Sequence, residues 1–198
     1  MKQEERREQT TRLLLQTTKK LILEKGCASL TLKDIMERSE LSKGAIFHYV
    51  KSKDELFAWV LQERLEETNK RFMNEVGQEK RAFDGPMDSI AANFHTLEDP
   101  EDVTNKVFVY LLGKEEEPAV RQALNQFYER SVLLARGWIA AGQEHGVIPE
   151  TVNADSTAEM FVLISFGLRI RSTFSILSAS FTAKQFTSFI TGSLHSTP

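Results

Sequence analysis

The chain has 198 residues, 41% of them hydrophobic and 27% charged. That is the balance of an ordinary soluble globular protein, long enough to bury a core without covalent staples. The single cysteine, Cys27, excludes a disulfide scaffold and any multi-cysteine metal site.

The opening segment MKQEERREQTTR has no apolar stretch, so no signal peptide is expected. The most apolar stretch, Phe161 to Leu168, spans eight residues and is closed by Arg169. A membrane span needs about 20, so a cytoplasmic protein with no membrane partner is expected. The formal net charge of −3 argues by itself against a nucleic-acid binder, but it hides a split. Residues 1–53 carry 12 Lys/Arg against 7 Asp/Glu, and residues 54–198 carry 13 against 21. A basic head on an acidic body can be an electrostatic footprint for phosphate. Chance clustering on a solvated face yields the same count.

Pro86, Pro100, Pro118 and Pro149 fall at breaks, and the segments between them show helical spacing with little strict alternation. The first helix is expected from about Glu4 to Lys25, with Gly26 as its stop. A short helix follows over Leu32–Arg38, capped by Thr31, with Asp34 at capping-box spacing. A second covers Lys43–Tyr49, capped by Ser42. A long helix begins near Lys53, capped by Ser52, with Asp54 and Glu55 favourably placed in its first turn. Its stripe Phe57, Leu61, Leu65, Thr68, Phe72, Val76 forms one face. Further helices fit 86–97, 101–112, 118–145, 153–179 and 183–194. In the segment 118–145, Val120, Leu124, Phe127, Leu134 and Trp138 point inward. No convincing strand appears.

Long helix, short helix, tight turn, short helix, long helix is the grammar of a helix-turn-helix. The second short helix suits a groove. Gly44 costs roughly 1 kcal/mol relative to alanine in a helix, a cost that makes sense if close approach matters. Ala45 is also small, and Ile46 points to the core, four residues before Val50. Lys33, Lys43, Lys51 and Lys53 lie near three helix N-termini, whose free N–H groups suit phosphate. Lys43, Ala45 and His48 are then nearest to base edges. Each lysine alone reads as a solvated surface charge; the constellation carries the functional reading.

The string TLKDIMERSELSKGAIFHYVKSKDEL, Thr31 to Leu56, resembles the DNA-binding domain of TetR-family transcriptional regulators. The most specific parts are Thr31 with Lys33-Asp34-Ile35, Ser42-Lys43-Gly44, Ile46-Phe47-x-Tyr49 and Lys51-Ser52-Lys53-x-Glu55-Leu56. Glu24-Lys25-Gly26 fits the family's first-helix ending. The likeness covers about residues 10–60. It implies DNA contacts from Thr31, Lys33, Ser42, Lys43, Gly44, Ala45, Phe47, His48, Tyr49, Lys51 and Lys53.

The chain departs from the family pattern at several positions. Cys27 replaces a usual aromatic, and Met36 and Ser39 replace small residues. Val50 replaces a usual phenylalanine, and Ala45 a common threonine. Glu40 holds a turn position often given to glycine, which is strained if φ is positive there. Phe47 stands where a tyrosine hydroxyl often meets phosphate, so that contact is expected to be absent. Ala45 and His48 together imply an operator unlike that of better-known members.

One helix-turn-helix reads few base pairs, so a homodimer on a palindromic operator is expected. Residues 160–168 are apolar around most of the helix, which buries more than one side. The family's last two helices typically form the dimer interface. The expected interface residues are Met160, Phe161, Ile164, Leu168, Phe181, Phe186, Phe189 and Ile190. The family's body holds a small-molecule effector. Candidates to line that pocket are Phe94, His95, Phe108, Tyr110, Phe127, Tyr128, Trp138 and Arg169, against the plain alternative that aromatics at helical spacing are core. Arg169 and Arg171 interrupt an apolar helix and need partners if buried. An acid across the interface, or simple exposure, is favoured over an anionic ligand.

His48, His95, His145 and His195 are scattered, and no phosphate loop or nucleophile elbow appears. No catalytic residue, metal or cofactor is expected. The reading is therefore an all-α chain of about nine helices. Residues 1–52 form a three-helix DNA-binding domain (motif about 31–50), and 53–198 a larger helical effector-binding and dimerisation domain. It implies a bacterial transcriptional regulator, nucleoid-associated when bound, and a repressor released from double-stranded DNA by an unknown small molecule. The alternative is a helical carrier or interaction module that does not read DNA.

Overall fold

The computed structural model describes residues 3–78, 94–174 and 178–195. Among the described residues there are eight α-helices and one 3-10 turn, and no strand. The helices are α1 (Gln3–Ser29), α2 (Leu32–Ser39), α3 (Lys43–Phe47) and α4 (Lys53–Gln78), then α5 (Val103–Leu112), α6 (Pro118–Glu144), α7 (Ala154–Arg171) and α8 (Ala183–His195). The 3-10 turn is Phe94–Leu97. It occupies the end of the helix expected over 86–97. The rest of that segment, and the side chain of Val76, lie outside the described residues.

Boundaries follow local chemistry. Gly26 breaks α1 with φ 74° and ψ 160°, a conformation glycine adopts without a Cβ penalty. One further helical turn then closes through the Leu30 N–H on the Gly26 carbonyl, 3.2 Å. Asp102, not residue 101, caps α5, its Oδ1 accepting from the Asn105 N–H at 3.0 Å. Helix α7 ends at Arg171, well short of 179. There the Ser172 and Thr173 hydroxyls donate to the carbonyls of Arg169 and Ile170 at 2.6 and 2.7 Å, satisfying groups that another helical turn would have used.

Two apolar clusters hold the molecule together. The first joins Leu14, Leu21 and Ile22 of α1 with Ile35, Ile46 and Val50, then runs through Leu56, Phe57 and Leu61 of α4 to Val107, Phe108 and Leu111 of α5 and Phe127 of α6. It is continuous across residue 53, so the small head rests on the body through α4 and α5. The second cluster joins Ala135 and Ile139 of α6 with Ala158, Phe161 and Leu168 of α7 and Phe186, Ile190 and Leu194 of α8.

Helix α6 ends at a close contact. Gly146 has φ +70°, and the Val147 N–H returns to the Gly142 carbonyl at 2.9 Å. This folds Ile148 back over Gly142, where an added Cβ would stand 2.4 Å from Cδ1 and 2.7 Å from Cγ1. Gly142→Ala is therefore expected to lower stability by about 1–3 kcal/mol through overpacking. Gly137, on the same helix, has nothing within 4 Å of an added Cβ. Gly137→Ala should be neutral or stabilising by up to about 1 kcal/mol. Urea denaturation of the two variants checks the contrast, and equal effects would reject it.

Candidate nucleic-acid interface

The three caps expected between residues 31 and 55 are all formed. Thr31 Oγ1 accepts from the Asp34 N–H at 3.2 Å, and the Asp34 carboxylate accepts in return from the Thr31 N–H at 2.8 Å. Ser42 Oγ accepts from the Ala45 N–H at 3.2 Å, and Ser52 Oγ from the Glu55 N–H at 3.3 Å. Glu40 takes φ 57° at the end of α2, so the turn into α3 does demand the left-handed conformation from a non-glycine residue.

Ion pairs brace the back of this unit. Arg38 makes two hydrogen bonds to Glu24, 3.0 and 2.8 Å, and Lys25 meets Asp34 at 2.5 Å. The Lys25 ammonium and the two Thr31 donors hold the Asp34 carboxyl well below the usual carboxylate range. These pairs tie α2 to α1 and remove Lys25 and Arg38 from the set of available cations.

Helix α3 is anchored on one side and open on the other. Ile46 is fully buried, while Lys43, Gly44, Phe47 and His48 are exposed and Ala45 is half-buried. The helix stops at Phe47, earlier than expected, because the Tyr49 and Val50 N–H groups both return to the Ile46 carbonyl, at 2.9 and 3.0 Å. Tyr49 is half-buried and packs edge-on against His48, with ring centroids 5.3 Å apart. Lys33 is exposed and loosely paired with Glu37 at 3.7 Å. Lys51 is exposed, while its N–H donates to Glu55 Oε2 at 2.8 Å.

Lys53 departs from expectation. Its ammonium faces the end of α1 and donates to the carbonyls of Cys27, Ala28 and Leu30 at 2.9, 3.0 and 2.8 Å. It also stands 5.3 Å from the Tyr110 ring centroid. Three carbonyls freed by the Gly26 break satisfy all three ammonium donors, so Lys53 is a cap for α1 and not an outward phosphate ligand. Beside it, Lys114 of the body bonds Asp54 at 2.6 Å, a pairing that pushes the lysine pKa up.

Among the described residues, the candidate effector residues make separate ring contacts. Phe108 and Phe127 are buried and cluster with Tyr128 around Phe166. Phe94 stacks on Phe186, and Trp138 stacks on Phe72 while donating to Asn69 Oδ1 at 3.1 Å. Tyr110 packs edge-on against Phe57, and His95 is exposed. A cleft of about 160 Å³ between α1, α4 and the start of α5 is lined by Lys19, Glu63, Arg64 and Asp102 among others, and by none of the eight candidates.

Arg169 is neither exposed nor directed at a partner copy. It is 8% exposed, donates to Asn105 Oδ1 at 2.5 Å and lies 3.9 Å from Asp102. Burial pushes its pKa down to about 10, against the pull of Asp102, so it stays charged at neutral pH. Arg171 reaches Glu98 and the Phe181 carbonyl. Both arginines are thus paired within the protomer.

Of the expected interface residues, Phe161, Leu168, Phe186 and Ile190 lie inside the protomer's own core. Phe181 and Phe189 are exposed, and Met160 and Ile164 are half-buried. The outward stripe is instead Leu163, Gly167 and Ile170 of α7 with Phe174 just beyond its end, the three large side chains being 56%, 37% and 58% exposed. Its steps of four, three and four were present in the sequence, but the apolar run around them hid which stripe faces out.

Residues 14–60 match the family described as bacterial regulatory proteins, tetR family. This segment is similar to that family over the helix-turn-helix. The matched residues hold the caps Thr31, Ser42 and Ser52 and every exposed α3 residue described above. The TetR-type fold continues through the body. A TetR-family transcriptional regulator from Pectobacterium atrosepticum aligns over 100% of both chains at 17% identity, with a TM-score of 0.66. A TetR transcription regulator from Haloarcula marismortui covers 94% of this chain and 97% of its own at 18% identity, TM-score 0.67. The fatty acid degradation regulator FadR from Bacillus halodurans covers 93% and 96% at 13% identity, TM-score 0.67. No curated protein matches the sequence. Residues 14–60 are thus similar to the tetR family, and the fold of the whole is that of the regulators just named. No described helix is long and apolar enough to cross a membrane.

Proposed function

We propose that the chain is a homodimeric repressor that occupies a palindromic operator and leaves it when a small molecule binds the body. The observation that carries this reading is α3, anchored through Ile46 and presenting Lys43, Gly44, Phe47 and His48 outward. Lys33, Lys43 and Lys51 meet phosphates. Thr31, Ser42 and Tyr49 support the ends of the reading unit. Ala45 and His48 lie nearest to base edges. The head is residues 1–52 and the body 53–198. The stripe Leu163, Gly167, Ile170, Phe174, with Phe181 and Phe189 of the neighbouring segment, is the self-complementary face of the dimer. An effector lodged among Phe108, Phe127, Tyr128 and Phe166 would shift α5, which packs on α1, and so change the spacing of the two heads. The heads must stand about 34–36 Å apart to enter successive major grooves.

Selection from random duplexes tests the reading. A two-fold symmetric sequence should be enriched and its binding should weaken steeply with salt. Recovery of no sequence would favour a carrier that does not read DNA. The two neighbouring lysines supply a sharper check. Lys51→Ala should flatten the dimer's logarithmic salt slope by about 2, one phosphate per head. Lys53→Met should leave the slope of the folded protein unchanged and lower its stability by about 2–3 kcal/mol, because a buried-side cap is lost. A flattened slope with unchanged stability in Lys53→Met would return Lys53 to the phosphate contacts.

A further inference from the structure

One large apolar side chain on the reading face has no part in holding the head together. Phe47 is 43% exposed, although the next residue back on α3, Ile46, is fully buried. A phenylalanine ring offers no hydrogen-bond donor or acceptor, so it reads neither a phosphate nor the polar edge of a base. What it can accept is another apolar group. Its surroundings limit the choice. Lys43 Nζ stands 5.6 Å from the ring centroid, and Lys51 is exposed a few residues on, so the ring sits within cationic surface suited to a polyanion. Gly44 adjoins it on the same face, with nothing within 4 Å of where a Cβ would be, so a partner can come down close to the ring's base. The apolar group that the DNA major groove presents on a base edge is the C5-methyl of thymine. 5-Methylcytosine carries the same group at the same place.

Resting on the regulator reading above, we propose that Phe47 reads the C5-methyl group of one pyrimidine in each half-site. The residue selects by apolar contact, so thymine and 5-methylcytosine are accepted there and their unmethylated counterparts, uracil and cytosine, are disfavoured. Binding at such a position depends on cytosine methylation wherever the operator carries cytosine in place of thymine.

The test uses the full-length protein and the duplex recovered by selection. Each thymine is replaced in turn by deoxyuridine, which keeps its pairing edge and loses only the methyl. One symmetric pair of positions should weaken binding by about fourfold per half-site, the worth of one buried methyl, and about fifteenfold when both are changed. Phe47→Ala, confirmed folded by its thermal melt, should bind thymine and deoxyuridine duplexes equally at that position. Placing cytosine there should weaken wild-type binding, and methylating that cytosine should recover about fourfold. The recovery should vanish in Phe47→Ala. A duplex with no methyl-sensitive position, or a sensitivity that survives in Phe47→Ala, overturns the proposal and leaves the regulator reading intact. Failure to select any duplex overturns the regulator reading, and this one with it.

Discussion

Arg169→Ala is expected to lower the unfolding free energy by about 3–5 kcal/mol, the range seen when one partner of a buried charged pair is removed. The arginine is the donor to Asn105 Oδ1, 2.5 Å away, and the nearest cation to Asp102. Asn105 in turn holds the segment before α5, donating through its amide nitrogen to the carbonyls of Thr96, Leu97 and Asp99 at 2.7, 3.3 and 2.9 Å. Removing the guanidinium leaves a buried amide oxygen without its donor and a carboxylate without its counter-charge. A void left by the side chain adds to the loss. Equilibrium denaturation of Arg169→Ala, Asn105→Ala and the double variant measures the network. The two single losses should not add, because the residues share one hydrogen bond. Additive losses, or a change below about 1 kcal/mol in Arg169→Ala, would contradict the network's role.

If the proposed dimer forms through this stripe, Gly167→Arg converts it to a 22.5 kDa monomer and reduces affinity for the selected duplex by about 100-fold or more, since two linked heads bind far more tightly than one. The protomer itself should be untouched. A Cβ at Gly167 meets nothing within 4 Å, and the position lies mid-helix, where glycine is a poor helix former. An arginine there stands in the middle of the outward stripe, between Leu163 and Ile170, and brings a charge into an apolar contact. Sedimentation equilibrium gives the mass and denaturation gives the protomer's stability. A Gly167→Arg protein that remains a dimer would move the interface off this stripe.

The head was legible because its signals are local. A cap and the backbone N–H it serves lie three residues apart, so Thr31, Ser42 and Ser52 announce helix starts without knowledge of the rest of the chain. Gly26 at φ 74° and the turn after α2 are likewise decided within a few residues. The left-handed residue at Glu40 was signalled only by the family resemblance, which gives that turn position to glycine.

The body was less legible because a helix apolar on every side does not reveal which side is outermost. Residues 160–168 could be assigned to burial, but not divided between the protomer's own core and a partner. Packing against α6 and α8 makes that division, taking Phe161 and Leu168 inward and leaving Leu163 and Ile170 out. The aromatics posed the same problem. Helical spacing marks Phe94, Phe108 and Trp138 as inward-facing, yet they meet different rings, Phe186, Phe166 and Phe72.

By itself, the amino-acid order determined the starts of α2, α3 and α4 and the helix-turn-helix they form, since each cap rests on contacts within about one turn of chain. The tertiary structure alone decided where the long, charged side chains end. Lys53 looks the same in sequence as any exposed cation, and the apolar helix around Arg169 showed that it needs partners if buried but not which ones. Only when Cys27, Ala28 and Leu30 are folded against one, and Asn105 and Asp102 against the other, does each find the acceptors that make burial favourable.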